Sequence, residues 1–244
     1  MSRSALITDL THFIGQPSAQ ALLALGYQVF GTDDTFSNEK NRLAAEAANP
    51  GLIALAPSSP EELIAAVVEK AGTLDVLINN DAYPAEKFAI EDVPDENMKA
   101  AFEALVYRPM RLCRAAVPQF KKQGEGKIIF ITSAAPLNGM PNFSIYLAAR
   151  GAGNSLALAL SKELARSNIQ VNAVAPNFVD NPDYYPKSLM ADPERAAKIL
   201  KQIPMGRLGS PEEAASIITY LADPLSHFIT GQVIPLSGGW ATAR

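Results

Sequence analysis

The chain has one cysteine, Cys113, and two histidines, His12 and His227, among its 244 residues. One thiol cannot close an internal disulfide, and two isolated histidines form no cluster with zinc-ligand spacing, so neither a disulfide scaffold nor a metal site is expected. No uninterrupted apolar run reaches the roughly 18 residues of a membrane span. An excess of one charge is also missing. The 21 basic and 25 acidic residues are dispersed, the net charge is −4, and no basic stripe marks a nucleic-acid-binding face. The first residues pass directly into a short strand and reach Asp9, leaving no room for a signal peptide's apolar region. A cytoplasmic protein is expected.

What is present is regular alternation. Strand-like runs lie near Ala5–Thr8, Gln28–Gly31, Leu52–Leu55, Val76–Asn79, Lys127–Ile131, Gln170–Ala175 and Val233–Leu236. Between them fall helical patterns near Gln16–Leu25, Asn38–Ala48, Pro60–Ala71, Asp95–Gln123, Ile145–Ser167, Pro193–Ile203 and Pro211–Leu221. Ser59-Pro60-Glu-Glu and Ser210-Pro211-Glu-Glu are helix starts, with proline suited to the first turn and carboxylates to the positive end. The alternation predicts an α/β fold: a single-domain, Rossmann-like, doubly wound parallel sheet of about seven strands, with helices on both faces. A chain of this length buries roughly 70–75% of its unfolded surface and needs no staple. Ligands of such sheets sit beyond the carboxyl ends of the strands, where Thr8, Asn79, Ser133 and Pro176 fall.

The chemistry concentrates between Thr132 and Arg150. Ser133 follows an apolar strand, and Tyr146 and Arg150, four residues apart, share one face of the next helix. A nearby cation favours the ionised form of an acidic group, so a tyrosine beside a permanent guanidinium is a candidate general base. Ser133, Tyr146 and Arg150 can hold an alcohol and take its proton.

The order of the early strand-turn-helix, Asn79-Asn80, Ser133, Tyr146, Ser210-Pro211-Glu-Glu and Ile229-Thr-Gly-Gln…Ser237-Gly-Gly239 resembles the short-chain dehydrogenase/reductase superfamily over nearly the whole chain. The departures are informative. The superfamily's glycine-rich first turn reads Thr8-Asp9-Leu-Thr-His-Phe13-Ile-Gly15 here, and only the last glycine survives. Those glycines let a cofactor's pyrophosphate approach the helix N-terminus. Asp9 puts a carboxylate there, and like charges about 4 Å apart cost roughly 4 kcal/mol at an effective dielectric near 20. Phe13 adds a ring, and the turn offers no compensating base, so no dinucleotide cofactor is expected. Asp33, where relatives bind a ribose, is expected to be a solvated turn residue. Arg150 stands where dehydrogenases carry lysine, and Leu105 where relatives often carry a proton-relaying asparagine. Asp81 either polarises Arg150 or a water near it, or caps a turn.

Asp9, Phe13, Asp81 and Ser133…Tyr146-x-x-x-Arg150 together resemble the halohydrin dehalogenases, a cofactor-free branch of that superfamily. The resemblance implies that vicinal haloalcohols close to epoxides with release of halide, and that epoxides open in reverse with small anions such as halide, azide, cyanide or nitrite. Ser133 then binds the substrate oxygen, Tyr146 takes its proton and Arg150 keeps Tyr146 ionisable. Phe13, Pro176, Asn177, Phe178 and Val179 form the halide niche. Pro136, Leu137, Met140, Phe143, Tyr184, Tyr185 and Met190 are candidates to shape the substrate pocket. His12 is expected to be structural. By the same resemblance the helices near 95–123 and 145–167 pair subunits into a homotetramer. An NAD(P)-dependent oxidoreductase with a reshaped pocket and a catalytically silent binding protein remain the alternatives.

Overall fold

The structure, a computed structural model, describes residues 2–182 and 184–242. Seven parallel strands, β1 (Ser4–Ile7), β2 (Gln28–Thr32), β3 (Leu52–Leu55), β4 (Val76–Asn79), β5 (Gly126–Ile131), β6 (Ile169–Pro176) and β7 (Val233–Leu236), form one sheet in the order 3-2-1-4-5-6-7. The order reverses between β1 and β4, which pair directly with Ala5 opposite Val76. This places a crevice at their carboxyl ends, where doubly wound sheets bind ligands. The seven expected strands are all present, with ends shifted by no more than a residue.

Neighbouring residues of each strand point to opposite faces, and both faces are covered. Ala5, Ile7, Val29, Val76, Ile78, Ile129 and Val174 pack with α1 (Gly15–Ala24) and, at the chain's far end, with Pro211–Ala222. Leu6, Phe30, Leu77, Ile128, Phe130, Val171 and Ala173 pack on the other face. On the α1 face α2 (Glu39–Ala48) adds Ala45, and on the other face α3 (Pro60–Ala71), opened by a reciprocal capping box between Ser59 and Glu62, adds Leu63, Ile64 and Val67.

The helix expected over 95–123 is interrupted. It runs as α4 (Asp95–Phe102), a π-helical turn at Glu103–Tyr107, and α5 (Arg108–Gln123). Pro109 cannot donate to the carbonyl four residues back and its ring crowds it, so a widened turn before it relieves both problems. Beyond β5 come α6 (Ala135–Asn138) and α7 (Ser144–Leu164), then α8 (Lys187–Met190), α9 (Pro193–Leu200) and α10 (Pro211–Ala222). The two one-turn segments α6 and α8 carry too short a pattern to be legible in sequence. Small residues let α7 approach the end of β5: a Cβ added to Gly153 would stand 3.1 Å from the Thr132 methyl.

The surviving glycine of the first turn has a packing reason. A Cβ on Gly15 would stand 2.4 Å from the Leu10 carbonyl oxygen, a contact that backbone alone must relieve. Gly15→Ala is expected to lower stability by about 1–3 kcal/mol, measured by chemical denaturation, while a neutral result would mean that the turn yields freely.

Candidate active site

Ser133, Tyr146 and Arg150 line one cavity of about 890 Å³ at the carboxyl end of the sheet. Ser133 is buried just past β5, and its Oγ accepts a hydrogen bond from the Ala135 amide at 3.1 Å, which leaves the hydroxyl proton for another acceptor. Tyr146 and Arg150 lie on the first turns of α7, and Arg150 Nε donates to the Tyr146 hydroxyl at 3.3 Å. Arg150 is only 7% exposed. Its Nη1 donates to the carbonyls of Asp81 and Ile131, both at 3.0 Å. Burial disfavours its charge, yet Tyr146, Tyr184 and Asp81 outweigh that, and its pKa stands above the ordinary arginine value. Leu105 lies in the π turn, within an apolar patch with Ala101 and Ala149 against which the Tyr146 ring packs.

The turn after β1 is held in a strained form. Asp9 and Phe13 have φ of +42° and +49°, a left-handed conformation costing roughly 1–2 kcal/mol for a residue with a side chain. Asn80 pins it, since its Nδ2 donates to the carbonyls of Asp9 and His12, both at 3.0 Å. The buried Asp9 carboxylate accepts from the Ala82 amide at 2.8 Å and pairs with Arg108 Nη1 at 2.9 Å. The absence of a base within the turn is therefore offset from elsewhere. Arg108, the first residue after the π turn, brings a cation across a separation of ninety-nine positions that no local pattern announces. Proline directly after it was the available signal.

Asp81 is also buried, accepts from Thr8 Oγ1 at 3.3 Å, and stands 3.8 Å from Arg108 Nε. Burial and then the neighbouring Asp9 push its pKa up to about 7, against the pull of Arg108 and Arg150. Burial also raises Asp9, with Arg108 opposing. Asp33 is not a solvated turn residue but is buried: its two oxygens each accept from a threonine hydroxyl and amide, Thr11 at 2.6 and 3.0 Å, Thr35 at 2.7 and 3.0 Å. Burial works against its charge, but those four bonds together hold its pKa below the usual carboxylate value.

Phe13, Pro176, Asn177, Phe178 and Val179 all line the same cavity, as do Met140, Phe143, Tyr184, Tyr185 and His12. The expected backbone donors are partly engaged. Asn177 N–H bonds the Leu236 carbonyl at 2.9 Å, and Phe178 N–H faces Asn177 Oδ1 at 3.1 Å. Asn177 Nδ2 is buried with no hydrogen-bond partner among the described residues. Pro136 and Leu137 lie outside the lining. Coiling of α6 sets Pro136 against Gly151, with 3.5 Å between its Cβ and a Cβ built there, and leaves Leu137 41% exposed. Met190 is outside it too, on α8. Tyr83, Asn80, Ala82, Ala104 and Asn181 join the lining without having been anticipated.

The chain matches the enoyl-(acyl carrier protein) reductase family over residues 11–241. It belongs to the short-chain dehydrogenase/reductase superfamily. Among curated members, 2,3-dihydroxy-2,3-dihydro-p-cumate dehydrogenase of Pseudomonas putida is 35% identical over 242 residues, covering 96% of this chain and 93% of that one. A structure titled "Dehalogenation enzyme" is 40% identical with a TM-score of 0.95 and covers 98% of both chains. A halohydrin dehalogenase, HheC bound to ethyl (2S)-oxiran-2-ylacetate, is 37% identical with a TM-score of 0.93, covering 99% of this chain and 98% of that one. Within the superfamily, this chain thus resembles halohydrin dehalogenases in structure, while sequence relatives include dehydrogenases and reductases.

A dinucleotide is the superfamily's usual group, and "ElxO with NADP Bound", 25% identical with a TM-score of 0.90 and covering 98% of this chain and 99% of that one, carries one. The residues here do not fit it. The Phe13 ring lines the cavity and meets the Tyr184 ring edge-to-face, centroids 6.5 Å apart, and the Asp33 oxygens are taken up by Thr11 and Thr35. Among the described residues no group of three or more His, Cys, Asp or Glu side chains is arranged for a metal, and no helix is long and apolar enough to cross a membrane.

Arg108→Met removes the cation that Asp9 and Asp81 share. The loss is expected to be about 2–3 kcal/mol near pH 8, below the roughly 3–5 kcal/mol of a fully buried pair because Arg108 is part-exposed. Both acids have folded-state pKa values above their unfolded ones, near 3.9. Their protonated forms therefore favour folding at low pH, and that contribution is lost as pH rises, through about 7 for Asp81. The variant's deficit should accordingly shrink as pH falls from 8 to 5. Denaturation curves at several pH values check this, and a deficit constant with pH would exclude the carboxylates as its cause.

Proposed function

We propose that the protein converts vicinal haloalcohols to epoxides with release of halide, without a cofactor, and opens epoxides with small anions in reverse. The observation that carries this reading is the pairing of the Arg150-bound Tyr146 hydroxyl with a Phe13 wall in one cavity. The base is present, and a ring stands in the turn that dinucleotide-binding relatives keep bare. The likeness to two dehalogenase structures supports it.

In this reading Ser133 Oγ–H donates to the substrate oxygen and Tyr146 removes that oxygen's proton. The alkoxide attacks the adjacent carbon opposite the carbon–halogen bond. The new C–O bond closes the epoxide as halide leaves with the bonding electrons. Because nucleophile and leaving group share one molecule, the site has only to hold them anti. Arg150 balances the charge that Tyr146 carries before the transfer. The departing halide meets Phe13 and the 176–179 segment, where the Asn177 Nδ2 and the Val179 N–H are the candidate donors. Donors fixed before the reaction stabilise a developing anion without reorganisation. Asp81 acts behind Arg150, through the carbonyl that Arg150 grips.

Purified protein incubated with small vicinal bromo- and chloroalcohols, with no dinucleotide added, is expected to release halide. Tyr146→Phe should keep its fold and lose about 10²–10⁴-fold in kcat, the usual contribution of a general base. Dinucleotide-dependent alcohol oxidation with no halide release across the panel would instead establish an oxidoreductase, and silence in both assays a binding protein.

A further inference from the structure

The site holds a second phenol that the mechanism above leaves unused. Tyr184 Oη stands 3.4 Å from Tyr146 Oη and donates to the Tyr83 carbonyl at 3.3 Å. It is positioned from three sides. Its amide bonds Asn181 Oδ1 at 3.0 Å, its ring packs edge-to-face with Phe13, and the Tyr83 carbonyl accepts from its hydroxyl. With Arg150 Nε on Tyr146 Oη at 3.3 Å, a Tyr184 proton placed on the Tyr83 carbonyl makes Tyr146 the donor to Tyr184, and the bonds then run Arg150 to Tyr146, Tyr146 to Tyr184, Tyr184 to Tyr83.

That direction fits only a neutral Tyr146. When Tyr146 loses its proton, its oxygen becomes an acceptor alone, and the Tyr184 O–H is the neighbour able to rotate from the Tyr83 carbonyl onto it. We propose that Tyr184 is a positioning residue for the base, its hydroxyl donating to the ionised form of Tyr146 opposite Arg150 and so setting the pH at which the base works. Hydrogen bonds to an ionised acceptor are shorter and about twice as strong as neutral ones, which gives the rotation its driving force.

Two further features agree. Burial, and after it the nearness of Tyr146, hold the Tyr184 pKa above its ordinary value, so Tyr184 keeps its proton and can donate once Tyr146 has lost its own. The other groups facing Tyr146 do not substitute for it. Tyr185 is pushed up to about 12 by burial and is neutral near pH 7. Asp81 reaches Tyr146 only through Arg150, with Asp9 and Arg108 behind it, and the Tyr83 hydroxyl is engaged with Asn97. His12 lines the same cavity on the Phe13 side.

The inference rests on the reading of Tyr146 as base, but its test need not. Tyr184→Phe keeps the ring and its packing on Phe13 and removes only the hydroxyl. Ultraviolet difference titration of tyrosinate, with Tyr146→Phe identifying the Tyr146 step, is expected to show that step moved up by about one pKa unit in Tyr184→Phe, a tenfold change in ionisation. The acidic limb of the kcat/KM profile for halide release should move by the same amount, with activity recovering at higher pH. An unmoved Tyr146 titration in a folded Tyr184→Phe variant overturns the proposal. A protein that releases no halide still shows the titration, so failure of the proposed reaction and failure of this inference are read separately.

Discussion

The burial of one permanent charge organises this site. Arg150 cannot shed its proton, so nearby groups must compensate it wherever the fold puts it. The carbonyl of Ile131 at the end of β5, the carbonyl of Asp81 just beyond β4 and the Tyr146 hydroxyl do so. Those three acceptors come from two strand ends and one helix, so satisfying the guanidinium also fixes the relative height of β4, β5 and α7. The geometry of the phenol is a by-product of solvating the cation. A lysine there would place a compact charge on a flexible stem instead of a planar fork.

A second layer of charge lies behind it. Arg108, Asp9 and Asp81 form a small network with two buried carboxylates and one part-exposed guanidinium. Burial, and after it the nearness of Asp9, raises the proton affinity of Asp81, which is why it stands near neutrality. The network hangs on the π turn. Had α4 run on regularly into α5, the residue at 108 would face another direction, because inserting one extra position per turn rotates everything that follows.

Much of this was legible in the chain. Strands showed as short apolar runs, and both proline-led helix starts lie where their patterns put them. Ser133, Tyr146 and Arg150 were readable because a strand end and a helical repeat of four place them by local rules. What escaped was non-local or too short. The Arg108–Asp9 pair joins positions with no common periodicity, and the Asn79-Asn80 pair, though part of the superfamily pattern, gave no sign that Asn80 pins the first turn. Pro136 and Leu137 were misassigned to the pocket because a one-turn helix rotates them away, and four residues carry no readable period. Asp33 read as a solvated turn acid, yet the two threonines that bury it were in plain view, at Thr11 and Thr35.

The Asp9–Arg108 pair also constrains how this sequence can change. A glycine at position 9 would ease the left-handed turn but, among the described residues, leave Arg108 with its longer ion pairs, 3.7 Å to exposed Asp34 and 3.8 Å to Asp81. A neutral residue at 108 alone would strand a buried acid. Each single step leaves a partner of the pair uncompensated, so the two positions are energetically coupled. The first turn is held in its present form by a helix that begins nearly a hundred residues later.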